Sequence, residues 1–348
     1  MRSIKSLQMS RHKMYGVTLI ELMVGLAIGL MIALAAASAY LGTRGAAVAT
    51  ENVSRINETG KLALDFIGRE IQLAGFFPAD QPTTIIPDME ASSFLAGKFT
   101  NIKTGQPVAY NQGFFGCDGA NFRTSAGAGQ DTCPNPVTGA ADSIVLNYFT
   151  SDIFGIGSNA NQGLMRDCTG SSVLGDKDNY KDRDTSSTAR NRLLPALPLI
   201  VSNRLGLNPT IYTAPSGQAF STFSLSCSGN GNSVGTYQPI YEGIEDLVIR
   251  YGVYSSANSQ SPERFYTATE VSALPAAGGT TGWQRVSAVQ ICIIVRSLEN
   301  ARLSTQSGAG STSFENCRNG ISAYPAGGSL YKRFVRVFAA KNNLNGTN

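Results

Sequence analysis

Hydrophobic and polar positions fall into three regimes along the chain. From Val17 to Leu41 there are 25 residues, nearly all apolar or small, and Glu21 is the one charge among them. About 20 apolar residues suffice to cross a bilayer as a helix, and this run is longer than the apolar core of an ordinary secretory signal. A basic head precedes it, with Arg2, Lys5, Arg11 and Lys13 and no acid. Positive charge on that flank predicts a cytoplasmic N-terminus and an outward-facing remainder. A carboxylate inside an apolar run is costly, and such residues usually serve a partner.

From Gly42 the pattern turns polar but stays helical. Val53, Ile56, Gly60, Ala63, Ile67, Ile71 and Ala74 recur at spacings of three and four, which marks one helix face. Glu51 with Arg55, and Asp65 with Arg69, stand four apart on other faces. Gly75 and Pro78 are stop signals, while Gly42 and Gly45 are expected bend points. A continuous helix from Val17 to Ala74 would be about 87 Å long.

The third regime reads as strands and long loops. Residues 78–141 are rich in Gly, Pro, Ser, Thr and Asn and predict an irregular stretch. A strand is expected at 142–149, a second loop at 155–192, and further strands at 197–201, 210–213, 219–226, 244–254, 283–297 and 330–340. In the strand 283–297, Val289, Ile291, Ile293 and Val295 alternate with Gln290, Cys292, Ile294 and Arg296, a pattern fit for a central position. The strand 330–340 carries Lys332, Arg333 and Arg336 and reads as an edge guarded by charge. Asp176, Asp178, Asp182 and Asp184 lack EF-hand spacing, and the interleaved Lys177, Lys181 and Arg183 neutralise them, so a solvated loop is expected.

Composition narrows the chemistry. The chain has 348 residues with 28 basic and 24 acidic side chains. The stretch through Gly16 supplies four of the basic ones, so the remainder is formally neutral at 24 against 24 and carries no footprint for nucleic acid. The one histidine, His12, lies in the basic head. Without it, histidine-based nucleophilic catalysis and the usual zinc sites are excluded. No cofactor is expected. The six cysteines, Cys117, Cys133, Cys168, Cys227, Cys292 and Cys317, all follow the apolar run, on the side expected to be oxidising. Six cysteines allow fifteen pairings; the local ones, Cys117 with Cys133, Cys168 with Cys227 and Cys292 with Cys317, are favoured.

Gly16, the run VTLIEL and the apolar helix behind it resemble the class III signal of type IV pilins and type II secretion pseudopilins. The resemblance implies that a prepilin peptidase cuts between Gly16 and Val17 and that Val17 is N-methylated. Family members usually have Phe after the cut; here it is Val17. The family's glutamate, fifth in the mature chain, matches Glu21. Cleavage leaves an ammonium on Val17, and a buried ammonium and carboxylate are tolerable as a pair, so Glu21 is expected to meet the amine of a neighbouring subunit. Gly25, Gly29, Ala33 and Ala37 stand at spacing four, a stripe on which helices can approach closely.

The order YEGIEDLVIRYGV, WQRVSAVQICIIVRS, RFVRVFAA, together with KLALDFIGREIQLAGFF, resembles the PilW family of minor pilins and its secretion relative GspJ. What this implies is an α+β, pilin-like fold with a leader over 1–16, a helix over 17–75 whose first part, 17–41, spans the membrane, and a periplasmic β-rich domain over 76–348. The implied partners are other minor pilins, the major pilin, prepilin peptidase, an inner-membrane assembly platform and, before assembly, membrane lipid. The implied role is pilus assembly at a priming or tip complex, supporting twitching motility, adhesion or DNA uptake. A secretion pseudopilin, and a membrane-anchored periplasmic binding protein or adhesin, remain as alternatives.

Overall fold

The computed structural model describes residues 16–76 and, beyond them, 99–100, 107–108, 113–121, 123–124, 131–149, 162–174, 200–213, 217, 219–229, 236–255, 261–277, 281–298, 313–324 and 329–343. The basic head with His12 and the aspartates of 176–184 lie outside the described residues. The chain divides into two units, Met1–Glu51 and Asn52–Asn348.

One helix, α1 (Leu19–Leu73), contributes to both. Within the first unit its ladder runs unbroken through Gly42 and Gly45, so neither glycine ends the helix. From Gly16 to Arg44 every described residue is exposed. This stretch is long and apolar enough to cross a membrane.

In the second unit the residues of α1 bury one face: Asn52, Ile56, Gly60, Ala63, Leu64, Ile67, Gly68 and Ile71. Val53, expected on that face, is exposed instead. Counting back one turn from Ile56 at 3.6 residues per turn reaches Asn52 rather than Val53. The buried face lies on two antiparallel sheets. The first contains β1 (Phe114–Cys117), β2 (Ser143–Phe149), β3 (Ile200–Thr213), β4 (Ala219–Ser228) and β5 (Gln238–Glu242), in the order β5-β4-β3-β2-β1. The second contains β6 (Ile244–Val253), β7 (Arg264–Tyr266), β8 (Val286–Arg296) and β9 (Tyr331–Ala339), in the order β7-β6-β8-β9. The fold is therefore α+β, a long N-terminal apolar helix joined to a sheet-rich domain.

The chain changes sheets at Gly243. Here φ is +79°, a conformation open to glycine at little cost. Glu242 ends the strand paired to β4, and Ile244 begins the one paired to β8. The core fills the space between the sheets and the helix. Val289, Ile291, Ile293 and Val295 of β8 are all almost fully buried, and β8 lies between β6 and β9. Its first expected residues, Trp283–Arg285, form a 3-10 turn instead.

Two expected strands, 197–201 and 210–213, are one strand of 14 residues, β3, with Pro209 inside it. Pro209 has no N–H to give, but β2 pairs with β3 only as far as Leu205. Beyond that point β4 is the one strand paired with β3 among the described residues, and a proline whose nitrogen faces away from its partner strand breaks no ladder bond. Short elements without a strong sequence pattern also form: β1, β5, α2 (Ala268–Ala273) and a hairpin pairing Ser313–Glu315 with Ile321–Ala323.

The cysteines pair Cys117–Cys133, Cys168–Cys227 and Cys292–Cys317, with Cα–Cα distances of 5.4, 6.2 and 5.7 Å. The second bond spans 59 residues and ties the turn after residue 166 to β4. Removing it with Cys168→Ser and Cys227→Ser is expected to lower stability by about 3 kcal/mol, because the unfolded chain regains that loop's freedom. The urea midpoint of the full-length protein in detergent, under oxidising conditions, measures it.

Candidate assembly site

The N-terminal segment is built from very few contacts. Thr18 stands just before the first helical residue, Leu19. Its N–H and its hydroxyl each donate to Glu21 Oε2 at 3.0 Å, and Glu21 N–H donates back to Thr18 Oγ1 at 3.4 Å. This is a reciprocal capping box, which satisfies two orphan donors of the first turn. The charge of Glu21 within an apolar run points only to a partner; the signal for this local role is the spacing Thr18-x-x-Glu21. The carboxylate is thus held by its own chain yet remains exposed. Gly16 and Val17 precede it, with Val17 73% exposed.

Gly25 and Gly29 have open space where a Cβ would stand, and Ala33 and Ala37 are exposed. Among the described residues nothing lies within 4 Å of a Cβ at position 25 or 29. Among the described residues no group of three or more His, Cys, Asp or Glu side chains could hold a metal.

The second unit holds its part of the helix firmly. Phe334 and Phe338 of β9 press their rings where the side chains of residues 60 and 68 would begin, which only glycine allows. Phe66 meets Tyr241 of β5 edge-on at 6.1 Å. Lys332 donates to Asn57 Oδ1 at 2.7 Å, Arg336 pairs with Asp65, and Arg333 pairs with Glu315 at 2.5 Å. The basic residues of the last strand are therefore engaged within the domain. Where α1 ends, the Asn342 amide donates to the carbonyls of Gln72, Leu73 and Ala74 at 2.8, 3.4 and 3.3 Å. It satisfies acceptors that the helix terminus leaves open.

Two carboxylates tune the domain. Asp118 receives the N–H groups of Ala268 and Thr269 at the start of α2, at 2.9 and 2.8 Å. Burial alone would raise Asp118, but these bonds outweigh it and hold it below the ordinary range. Glu70, on α1, accepts from Asn203 Nδ2 of β3 at 2.7 Å. Burial raises its carboxyl above the usual value; the Asn203 bond and Arg69 oppose that rise, and Asp167 adds to it. The folded state therefore holds this proton more tightly than the unfolded chain. Its contribution to stability is present at low pH and is lost as pH rises from the ordinary value of 4.5 through the raised one. Glu70→Gln is expected to be more stable than wild type near pH 7, with the gap closing below pH 4.5. Urea midpoints at the two pH values measure this.

An exposed apolar stretch long enough to cross a membrane, with an acid in its first turn, leads into a sheet-rich domain. Residues 11–37 match the prokaryotic N-terminal methylation motif, a motif of prepilin-like proteins. Residues 210–342, from the end of β3 through β9, match the family model of type IV pilus-assembly protein W. Together the two matches support a minor-pilin role in the type IV pilus. No curated protein and no solved structure matches the chain.

Proposed function

We propose that this chain is a minor pilin that enters the fibre by exchanging one partner of Glu21 for another. Prepilin peptidase cuts between Gly16 and Val17, and Val17 is methylated on its new amine. The helix over 17–41 then anchors the chain in the inner membrane with the β-rich domain, 76–348, in the periplasm, where its disulfides persist. In lipid, the Thr18 N–H and hydroxyl hold the Glu21 carboxylate. When a subunit joins the bundle, the amine of a neighbour replaces them and sets its register, while Gly25, Gly29, Ala33 and Ala37 let the helices close. The partners are the other minor pilins, the major pilin and the inner-membrane assembly platform. The role is structural rather than catalytic, and it supports twitching motility, adhesion or DNA uptake through the fibre.

The observation that carries this reading is the exposed apolar stretch from Gly16 to Arg44, with Glu21 bound only by Thr18 among the described residues. The test is intact mass and N-terminal sequencing of the protein from sheared surface fibres. A chain beginning at methylated Val17 is expected. A chain beginning at Met1 and missing from fibres would leave only a membrane anchor and overturn the reading.

A further inference from the structure

The last strand, β9, is an unusual sheet edge. Among the described residues it pairs only with β8, in unbroken register from Tyr331 opposite Arg296 to Ala339 opposite Ala288. Soluble proteins blunt such edges with short strands, proline, bulges or projecting charge. The other edges here follow that rule: β7 has 3 residues, β1 has 4, and β5 has 5 with Pro239 among them. The strand β9 has 9 residues, no proline and no register shift. Each of its three cations has a partner within the domain. Lys332 and Arg336 turn to Asn57 and Asp65 of the helix, and Arg333 turns to Glu315. Lys332, Arg336 and Ala339 remain exposed on it, and with them Val335 and Val337, 46% and 49% exposed.

We propose that β9 is a docking edge, completed in the assembled fibre by an extended strand of a different pilus subunit that carries carboxylates. This rests on the minor-pilin reading. Strand addition uses the open backbone donors and acceptors for affinity and the alternating side chains for choice. Charge selects the occupant. The strand has Lys332, Arg333 and Arg336 and no acid, so a parallel in-register pair with a second copy would set cation directly against cation, and an antiparallel pair would gather the cations of both copies on one ladder with no acid, which is unfavourable. A strand with Asp or Glu complements it. The Arg336–Asp65 pair is itself exposed on both sides, 54% and 57%, so its guanidinium can share a second carboxylate. A β-branched or aromatic residue on the incoming strand would cover Val335 and Val337.

The test places a photo-crosslinking benzoylphenylalanine at Val335 or Val337 of the full-length chain in fibre-producing cells, with Ile211, exposed on the other sheet, as control. Peptide mapping should place the 335 and 337 crosslinks on one strand of another pilus subunit, two residues apart, and no Ile211 crosslink on that strand. Crosslinks only to a second copy of this chain, to a helix or to lipid, or none while the chain is present in fibres, would overturn the proposal. In parallel, Val335→Lys with Val337→Lys should abolish incorporation into fibres while Tm stays unchanged; normal incorporation would overturn it as well. A wild-type chain uncut at Gly16 and absent from fibres would overturn the minor-pilin reading with it, whereas a cut, fibre-borne chain without strand crosslinks overturns the docking edge alone.

Discussion

Replacing Glu21 with Ala is expected to remove the chain from sheared surface fibres while its cleavage and the fold of its β-rich domain stay intact. Among the described residues the carboxylate is hydrogen-bonded by Thr18, within the first unit. Its loss therefore acts on assembly rather than on folding. Two further substitutions separate the possible reasons. Glu21→Gln keeps an oxygen that can accept from Thr18, and so keeps much of the capping box, but loses the charge. If pairing with a neighbour's ammonium is the role, Gln behaves like Ala. If helix capping is the role, Gln rescues incorporation and Thr18→Ala lowers it. Immunoblots of the sheared fraction against whole cells, with intact mass to confirm the N-terminus, distinguish these outcomes. Fibre levels of Glu21→Ala equal to wild type would remove Glu21 from the mechanism.

A large effect on stability is expected at Gly68. A Cβ placed there would stand 2.2 Å from Cε1 of Phe338, a ring that is itself buried on β9. Real carbon atoms do not approach so closely, so either the helix or the last strand must shift. Gly68→Val is expected to cost about 3 kcal/mol, the upper part of the usual range for overpacking. The gain in helix propensity over glycine is well under 1 kcal/mol and does not offset it. Phe338→Leu in the same chain should recover part of the loss, because the two residues occupy one space and their effects are not additive. Urea midpoints of the four proteins measure the coupling. A Gly68→Val protein as stable as wild type would mean that α1 does not rest on β9 as described. The match that begins at residue 210 ends at residue 342, so it includes the strand against which this glycine is set.

The parts of the fold legible in advance are those whose signal is local. The apolar run and the spacing of Ile56, Gly60, Ala63, Ile67 and Ile71 repeat within a few turns, so they define α1 and its buried face without knowledge of what covers it. The period shows its limit at Val53, where a small phase error puts Asn52 inside instead. The alternation in β8 is equally plain because Val289, Ile291, Ile293 and Val295 repeat at period two within one strand. Short strands such as β1 and β5 carry too few residues for a period to register, and they form because β2 and β4 present a ladder to them. The capping box at Thr18 and Glu21 lay in plain view, but the charge of Glu21 in an apolar run drew the reading toward a partner.

Local pattern and composition suffice for an apolar run with one acid ahead of a strand-rich, disulfide-forming domain, because helix period, strand alternation and cysteine count depend only on near neighbours or on composition. Tertiary structure alone decided the rest: that Pro209 lies inside a strand, that Gly243 carries the chain between sheets, that glycines at 60 and 68 admit the rings of Phe334 and Phe338, and that the cations of β9 turn to Asn57, Asp65 and Glu315. Each depends on residues far apart in the chain, often by more than 200 positions, being brought to contact by burial of a shared core, and that juxtaposition is written in no local period.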